Sequence, residues 1–316
     1  MRSLVTGGAG FIGSNLVDAL IEGGHEVVVF DDLSSGKRAN LKDALDKGAT
    51  LEVGDISDPD AVRSVFASLR PQRVFHLAAQ IDVRRSVADP VFDLNVNVAG
   101  TLNLLTCARE VGTEKFLFSS TGGAIYGEGE GRELPLAEEA DRRPDAPYGM
   151  SKLAAEGYLD LFSRLHGLET VALRLGNVYG PRQDPHGEAG VVAIFCGALL
   201  RGEQPKVFGD GDQTRDYVYV HDVVEAFLAA ADSHVTGAFN VGTGREASVL
   251  DVGRQVASAY DTDFDPEYKE PRAGEVQRIA ISAERARDEM NWSAAVALEE
   301  GLRRTAEWTR DAGIET

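Results

Sequence analysis

An apolar run, Leu4-Val5-Thr6, breaks into glycines at positions 7, 10 and 13 and then resumes as Phe11, Ile12, Leu16, Val17 and Leu20. That order of residues describes a strand, a tight turn and a helix. Gly7 permits the sharp turn, Gly10 lets backbone approach a ligand with no Cβ in the way, and Gly13 allows the helix to pack closely on the strand. The amides of Phe11 and Ile12 then lie at a helix N-terminus, where an anion is stabilised. The spacing therefore reads as a phosphate cradle. A glycine triplet alone fits a plain turn equally well, so the residues that follow have to decide.

They favour the cradle. Glu26-Val27-Val28-Val29-Phe30 is a second buried-strand run ending at Asp31-Asp32, where a dinucleotide fold places the carboxylate that accepts from an adenosine ribose. A carboxylate there repels a 2′-phosphate, so NAD is expected rather than NADP. The loop Ser34-Ser35-Gly36 follows. Arg38 beyond it reads either as a 2′-phosphate ligand or as a solvated loop arginine.

At 316 residues the chain can bury a large core and form two lobes. Its formal net charge of −19 argues against nucleic acid as a partner. It also means that an anionic substrate needs dedicated arginines. No apolar run reaches the roughly 18 residues that span a bilayer, and the first one is broken by glycines without a basic leader. A cytoplasmic protein is expected. Cys107 and Cys196 lie in apolar segments with no partner motif and read as buried free thiols of a reducing compartment. His166, His186, His221 and His234 show no metal-ligand spacing.

Short Val/Leu/Phe runs at Ser3–Thr6, Glu26–Phe30, Thr50–Val53, Arg73–Leu77, Lys115–Ser119 and Thr170–Arg174 alternate with longer amphipathic ones. This pattern predicts an α/β fold with a doubly wound parallel sheet and ligands beyond the C-terminal strand ends. At those ends stand Asp55-Ile56, then Leu77-Ala78-Ala79-Gln80, then Ser119-Ser120-Thr121. Asp55 reads as an adenine contact or as a turn aspartate, with Ile56 against the ring; Ala78 and Ala79 leave room for a cofactor to lie flat. Asn97 precedes an amphipathic helix from Leu102 to about Val111. Tyr148-Gly149-Met150-Ser151-Lys152 opens another helix, in which spacing by four places Tyr148 and Lys152 on one face. A lysine ammonium beside the phenol would lower its pKa and make Tyr148 a general base. Gly237–Gly242 reads as a strand returning to the large lobe.

The set Gly7-x-x-Gly10-x-x-Gly13, Asp31, Asp55, Ser119-Ser120-Thr121, Tyr148-x-x-x-Lys152 and Arg174-x-x-Asn177-Val178-Tyr179-Gly180-Pro181-Arg182 resembles the extended short-chain dehydrogenases/reductases, from Met1 to about Trp308. Within them it is most similar to the nucleotide-sugar epimerases acting at C4 of UDP-glucose and UDP-galactose. The resemblance implies a Rossmann-type NAD-binding domain over 1–175, with a returning segment at about 216–243, and a smaller α/β substrate-binding lobe over 176–316. It implies catalysis by Tyr148, Lys152 and Thr121, and NAD contacts from the cradle, Asp31, Asp32, Ser35, Gly36, Asp55, Ile56, Leu77–Gln80, Asn97, Ser119 and the catalytic pair. It also implies that Asn177 contacts the sugar or β-phosphate, that Val207 and Phe208 flank the uracil, that Arg215 and Arg272 bind the diphosphate and that Glu275 meets the ribose, with Val191 nearby.

A homodimer is implied as well, through the helices after Asn97 and from Tyr148, with Leu102, Leu105, Ala108, Leu153, Tyr158, Leu161 and Phe162 as the apolar surface. UDP-glucuronate and UDP-N-acetylglucosamine remain alternative substrates. A 4,6-dehydratase would need an Asp-Glu pair where Gly122-Gly123 stands, and a non-catalytic NAD sensor would have no use for the Tyr-Lys pair. Gly122, Gly123, Gly176 and the aliphatic Ile279 are expected to enlarge or reshape the sugar pocket.

Overall fold

A computed structural model describes residues 1–129, 131–186, 190–272 and 276–312. The first part of the chain runs β1 (Arg2–Thr6), α1 (Phe11–Glu22), β2 (Glu26–Asp31), α2 (Lys42–Asp46), β3 (Thr50–Val53), α3 (Pro59–Leu69) and β4 (Arg73–His76). Two short helices follow, α4 (Val83–Ala88) and α5 (Pro90–Leu94), then a π-helical turn (Asn95–Ala99) that leads into α6 (Gly100–Val111). The sheet continues with β5 (Lys115–Thr121), the one-turn α7 (Gly122–Ile125), α8 (Pro147–His166) and β6 (Glu169–Leu175).

Beyond β6 the elements shorten. They are β7 (Asn177–Tyr179), α9 (Val191–Leu200), β8 (Lys206–Phe208), β9 (Thr214–Arg215), β10 (Tyr217–Tyr219), α10 (Val220–Asp232), β11 (Gly237–Val241), β12 (Ala247–Ser248), α11 (Val249–Ala259), β13 (Glu267–Lys269), α12 (Glu284–Met290) and α13 (Leu298–Ala312).

The described strands of the main sheet lie in the order β11-β6-β5-β4-β1-β2-β3, all parallel. The expected α/β class and the returning strand are therefore both present. Strand order reverses between β1 and β4, and the crevice there is where open parallel sheets bind ligands. Side chains alternate across the strands. Val5, Phe75, Leu117, Val171 and Leu173 meet α1 and α10 on one face; Leu4, Val74, Phe116, Phe118 and Ala172 meet α3, α6 and α8 on the other. Each large side chain so buried contributes about 1.5–3 kcal/mol, which makes the sheet a stiff platform for its strand ends.

Local chemistry explains where helices begin. Asp58 caps α3 by accepting from the amides of Asp60 and Ala61, with Pro59 at the first helical position. Ser248 and Asp251 form a reciprocal capping box on α11. The later segments build smaller sheets, β10 with β7, β12 with β9 and β13 with β8, around a separate cluster of Phe195, Val207, Val252, Val256 and Leu302.

Candidate active site

At the end of β1 the glycine turn is as tight as its spacing predicts. Gly7 has φ of 69°, and a Cβ there would lie 2.5 Å from the Ala78 nitrogen. On Gly13 a Cβ would lie 2.1 Å from the Gly7 carbonyl oxygen, so helix and turn are in contact with no room to spare. Gly10 is the N-cap of α1 and gives it no side-chain acceptor, so the first amides of the helix, Phe11 and Ile12 among them, are left to a ligand.

Asp31 is buried beside this turn. Its Oδ2 accepts from the Ala9 amide at 2.9 Å and its Oδ1 from the Leu33 amide at 2.9 Å. Burial, partly offset by these amides, pushes the carboxyl above its usual range. Each oxygen keeps a second lone pair for a hydroxyl donor. Asp32 is exposed and turned to the loop, where Oδ1 accepts from the amide and hydroxyl of Ser34. The Ser35-Gly36 stretch folds back on the cradle, with the Lys37 amide donating to Ala9 O at 3.0 Å. Arg38 is exposed on the next turn, as a solvated loop arginine would be. Asp55 is a turn aspartate, its Oδ1 accepting from the Ser57 amide at 2.8 Å. Ile56 is buried, and its Cδ1 lies against Gly100 at the start of α6.

The segment after β4 is held from below. The amide of Gln80 donates to Asn97 Oδ1 and Asn97 Nδ2 donates to Gln80 O, both at 2.9 Å. Asn97 thus acts on the Leu77-Ala78-Ala79-Gln80 backbone; its side chain is 2% exposed. A hydrogen-bond chain fixes the neighbouring histidine. Thr101 donates to Asn97 O at 2.6 Å, so its oxygen accepts from His76 Nε2; His76 Nδ1 in turn accepts from Thr6. Burial first, and Lys152 second, hold His76 neutral, well below its ordinary pKa.

Tyr148 and Lys152 occupy the first turns of α8. The Tyr148 amide donates to Ser86 Oγ at 3.1 Å, and the Ser151 hydroxyl donates to Tyr148 O at 2.9 Å. Lys152 Nζ donates to Ser119 O at 2.8 Å and lies 4.6 Å from the Phe118 ring centre. Further along, Glu156 is paired with buried Arg174 at 2.7 Å and accepts from Ser120 at 2.6 Å, which fastens α8 to β5 and β6. Thr121 caps α7 by accepting from the Ala124 amide at 3.2 Å. A Cβ on Gly123 would stand 3.6 Å from Asn177 Oδ1 and 4.0 Å from Thr121 Oγ1, so the sheet end and the later segment converge at this point.

The expected activation of the tyrosine is not present in the protein alone. Burial, with Asp93 adding to it, pushes the Tyr148 phenol up to about 12. Burial pushes Lys152 down to about 7, against Asp93 and Glu156. Spacing by four puts two residues on one face, but desolvation penalises both charged forms. A low phenol pKa here requires a further positive charge.

Several substrate-side expectations need revision. Val207 is 1% exposed within the cluster of α9 and α11, so its side chain does not flank a base. Phe208 is half-buried, and the Arg272 guanidinium lies over its ring at 3.9 Å. Arg215 is half-buried with Nη1 on Thr214 O at 2.8 Å, and Val191 starts α9. Glu275 lies outside the described residues. Gly122 and Gly176 do not enlarge a pocket: a Cβ would meet Ile281 Cδ1 at 2.6 Å in the first and Asp216 O at 2.8 Å in the second. Ile279 is buried with Ile125 and Tyr126. Only Gly123 faces room. Of the apolar residues expected at a subunit interface, Leu105 and Ala108 belong to the core and Leu153 packs beside Ile125.

Among the described residues no group of acidic, histidine or cysteine side chains could hold a metal ion, and no helix is long and apolar enough to cross a membrane. The crowded cradle, the first turn of α1 without a side-chain cap and the buried Asp31 carboxylate beside them fit a dinucleotide.

Comparison with known proteins agrees. Residues 3–242 match the model of the NAD dependent epimerase/dehydratase family. A UDP-glucose 4-epimerase of Mycolicibacterium smegmatis is 47% identical over 314 residues, covering 98% of this chain and 99% of the relative. The crystal structure of UDP-glucose 4-epimerase with UDP-glucose from Thermotoga maritima superposes with a TM-score of 0.95 at 46% identity, covering 99% of each chain. The Thermus thermophilus UDP-glucose 4-epimerase in complex with NAD gives 0.92 at 45% identity, over 99% of this chain and all of that one. This chain is therefore a member of the NAD-dependent epimerase/dehydratase family and uses NAD.

Proposed function

We propose that the protein interconverts UDP-glucose and UDP-galactose by reversible epimerisation at C4. The observation that carries this reading is half-buried Tyr148 and buried Lys152 on a helix pinned to the sheet end that Thr121 closes, in a chain so similar to known 4-epimerases along its whole length. In this reading Tyr148 takes the proton of the sugar 4-hydroxyl, Thr121 donates a hydrogen bond to the same oxygen, and the Lys152 ammonium stabilises the phenolate. The Gly7/Gly10/Gly13 turn and Asp31 would hold NAD, which when bound would supply reversible hydride transfer at C4 and, in its oxidised form, a positive charge. Tyr148 then returns the proton after the 4-keto sugar has presented its other face, and C4 is inverted.

Arg215 and Arg272 are assigned to the diphosphate, Phe208 to the base and Asn177 to the sugar. A neutral hexose is favoured because Arg85 and Arg182, the arginines that could otherwise meet a 6-carboxylate, are engaged elsewhere. Arg85 lies over Phe92 at 3.9 Å, and Arg182 pairs with Asp18 at 2.6 Å. An unpaired buried carboxylate would cost several kcal/mol. The dehydratase reading is disfavoured by Gly122, where Ile281 leaves no space for an acidic side chain.

We further assign residues 1–175, with the returning segment 216–243, to the NAD-binding domain and the rest to the nucleotide-sugar lobe. A homodimer through the helix after Asn97 (α6) and the helix from Tyr148 (α8) is supported by Tyr158, 38% exposed, and by the half-buried Leu102 and Leu161. A cytoplasmic location is supported by two unpaired buried cysteines.

The test is incubation with UDP-glucose, UDP-N-acetylglucosamine, UDP-glucuronate and dTDP-glucose in turn, read by NMR of the anomeric protons. UDP-galactose from UDP-glucose is the expected product. Conversion of UDP-glucuronate alone, or a 4-keto-6-deoxy sugar from dTDP-glucose, would overturn the assignment.

A further inference from the structure

Asp93, on α5, is 1% exposed. Its Oδ1 accepts from Gln80 Nε2 at 2.9 Å and from Asn97 Nδ2 at 3.1 Å. Its Oδ2 is buried without a hydrogen-bond partner. A half-satisfied buried carboxylate is a costly group. The packing does not require its charge. Gln80 is also held by the backbone of Asp82, through Oε1 and Nε2, and Asn97 by Gln80 O and Ser151 Oγ. A neutral amide would accept the same two bonds.

We propose that Asp93 is a positioning residue of the reaction: its buried carboxylate sets Gln80 and Asn97, and through Asn97 the Ser151 hydroxyl between Tyr148 and Lys152, and it supplies negative charge beside that first turn of α8. The proposal rests on the reading of Tyr148 as the base and Lys152 as its cationic partner.

Lys152 is driven towards neutrality by burial, and Asp93 is the stronger of the two carboxylates that oppose this. The other, Glu156, is already committed to Arg174 and Ser120. Asp93 also acts against ionisation of Tyr148. The remaining ionisable groups of the surrounding elements are differently engaged. His76 on β4 is neutral; Arg174 on β6 is paired; Arg85 on α4 lies over Phe92; Asp82 and Asp89 cap α4 and α5; Arg84 on α4 has its own interaction.

Removing one negative charge makes both neighbours shed their protons more readily. In Asp93→Asn, assayed as the NAD-bound enzyme with UDP-glucose, both limbs of the kcat–pH profile are expected to move to lower pH by about one unit. Turnover on the alkaline limb then falls by about tenfold while KM stays within about twofold. A purely structural role would lower the profile at every pH without displacing its limbs, and that outcome overturns the proposal. Asp93→Ser makes the same charge change with less volume and should move the limbs in the same direction. If neither variant folds, Asp93 is structural and the proposal fails. Tyr148→Phe is the parallel control: retained turnover there would overturn the base assignment itself, whatever Asp93 does.

Discussion

The two sides of the cleft are built differently. On the cofactor side, positions are set by backbone. Gly13 leaves 2.1 Å for a Cβ, Asp31 is fixed by two amides, and the catalytic helix is tied to Ser86, Ser119 and Arg174. On the substrate side Asn177, Phe208 and Arg215 sit on strands of two or three residues. The Arg272 head is exposed, and Phe208 beneath it is half-buried. In the proposed reaction the cofactor stays bound and can be met by a rigid surface with little loss on binding, whereas the substrate must enter and depart and needs contacts that rearrange. The cofactor side should therefore respond to change in an all-or-none way and the substrate side by degrees.

The largest expected effect is at the reacting centre. Tyr148→Phe should lower kcat by roughly 10²–10⁴ while UDP-sugar binding, followed by calorimetry, is nearly unchanged. Thr121→Val removes one hydrogen bond to the same oxygen and should cost up to roughly 10². A larger loss at Thr121 than at Tyr148 would reverse the assignment of base and donor.

Gly13→Ala comes next. The new methyl collides with a carbonyl, not with a flexible side chain, so strain of about 1–3 kcal/mol or more is expected. Protein purified from this variant should contain little NAD on acid extraction and chromatography; a full complement would show that the turn is more pliant than its contacts imply. Arg272→Ala is the matching change across the cleft. KM for UDP-glucose should rise about ten- to a hundredfold, as for loss of a charge-assisted contact, with kcat within about twofold and NAD retained. Loss of NAD in this variant would break the distinction between the two sides.

The smallest effect is a stability slope. His76 is held neutral below its ordinary pKa by burial, and His25 is lowered in the same way. The unfolded chain binds protons below about pH 6.5 that the folded chain refuses, so stability present above that pH is lost as pH falls. The unfolding free energy from denaturant melts should drop by up to about 1.4 kcal/mol per pH unit for His76. His76→Gln should be less stable at neutral pH yet show a flatter slope below 6.5.

The contrast between the two sides also governs what could be read from the chain. The glycine spacing, the strand runs ending at Asp31 and Ser119 and the helix carrying Tyr148 and Lys152 are local patterns with long apolar periods, and each appears within a residue or two of its expected limits. Strands such as Thr214–Arg215 and Ala247–Ser248 are too short to have a period, so the small sheets were not legible. Val207 looked available because an apolar residue beside Phe208 reads the same whether it faces a base or a core. The phenol pKa was misjudged for a similar reason: residue spacing reports neighbours on one helix but not desolvation by the rest of the fold. Asp93 gave no signal, since one acidic residue in Pro90–Leu94 resembles any solvated helix position.

The seventh strand has a consequence for how the protein is made. β11 completes the sheet by pairing with β6, yet it follows β6 by roughly sixty residues of intervening chain. A ribosome adding about 5–20 residues per second exposes the β6 edge for about 3–12 s before its partner exists. During that interval Val171 and Leu173, both fully buried in the finished protein, lie beside an unpaired strand edge, which is a template for association with other nascent chains. Synthesis that stops short of Val241 leaves this edge open permanently. A fragment ending at Leu175 lacks the partner of β6, so the chain's last third is a requirement for the sheet itself.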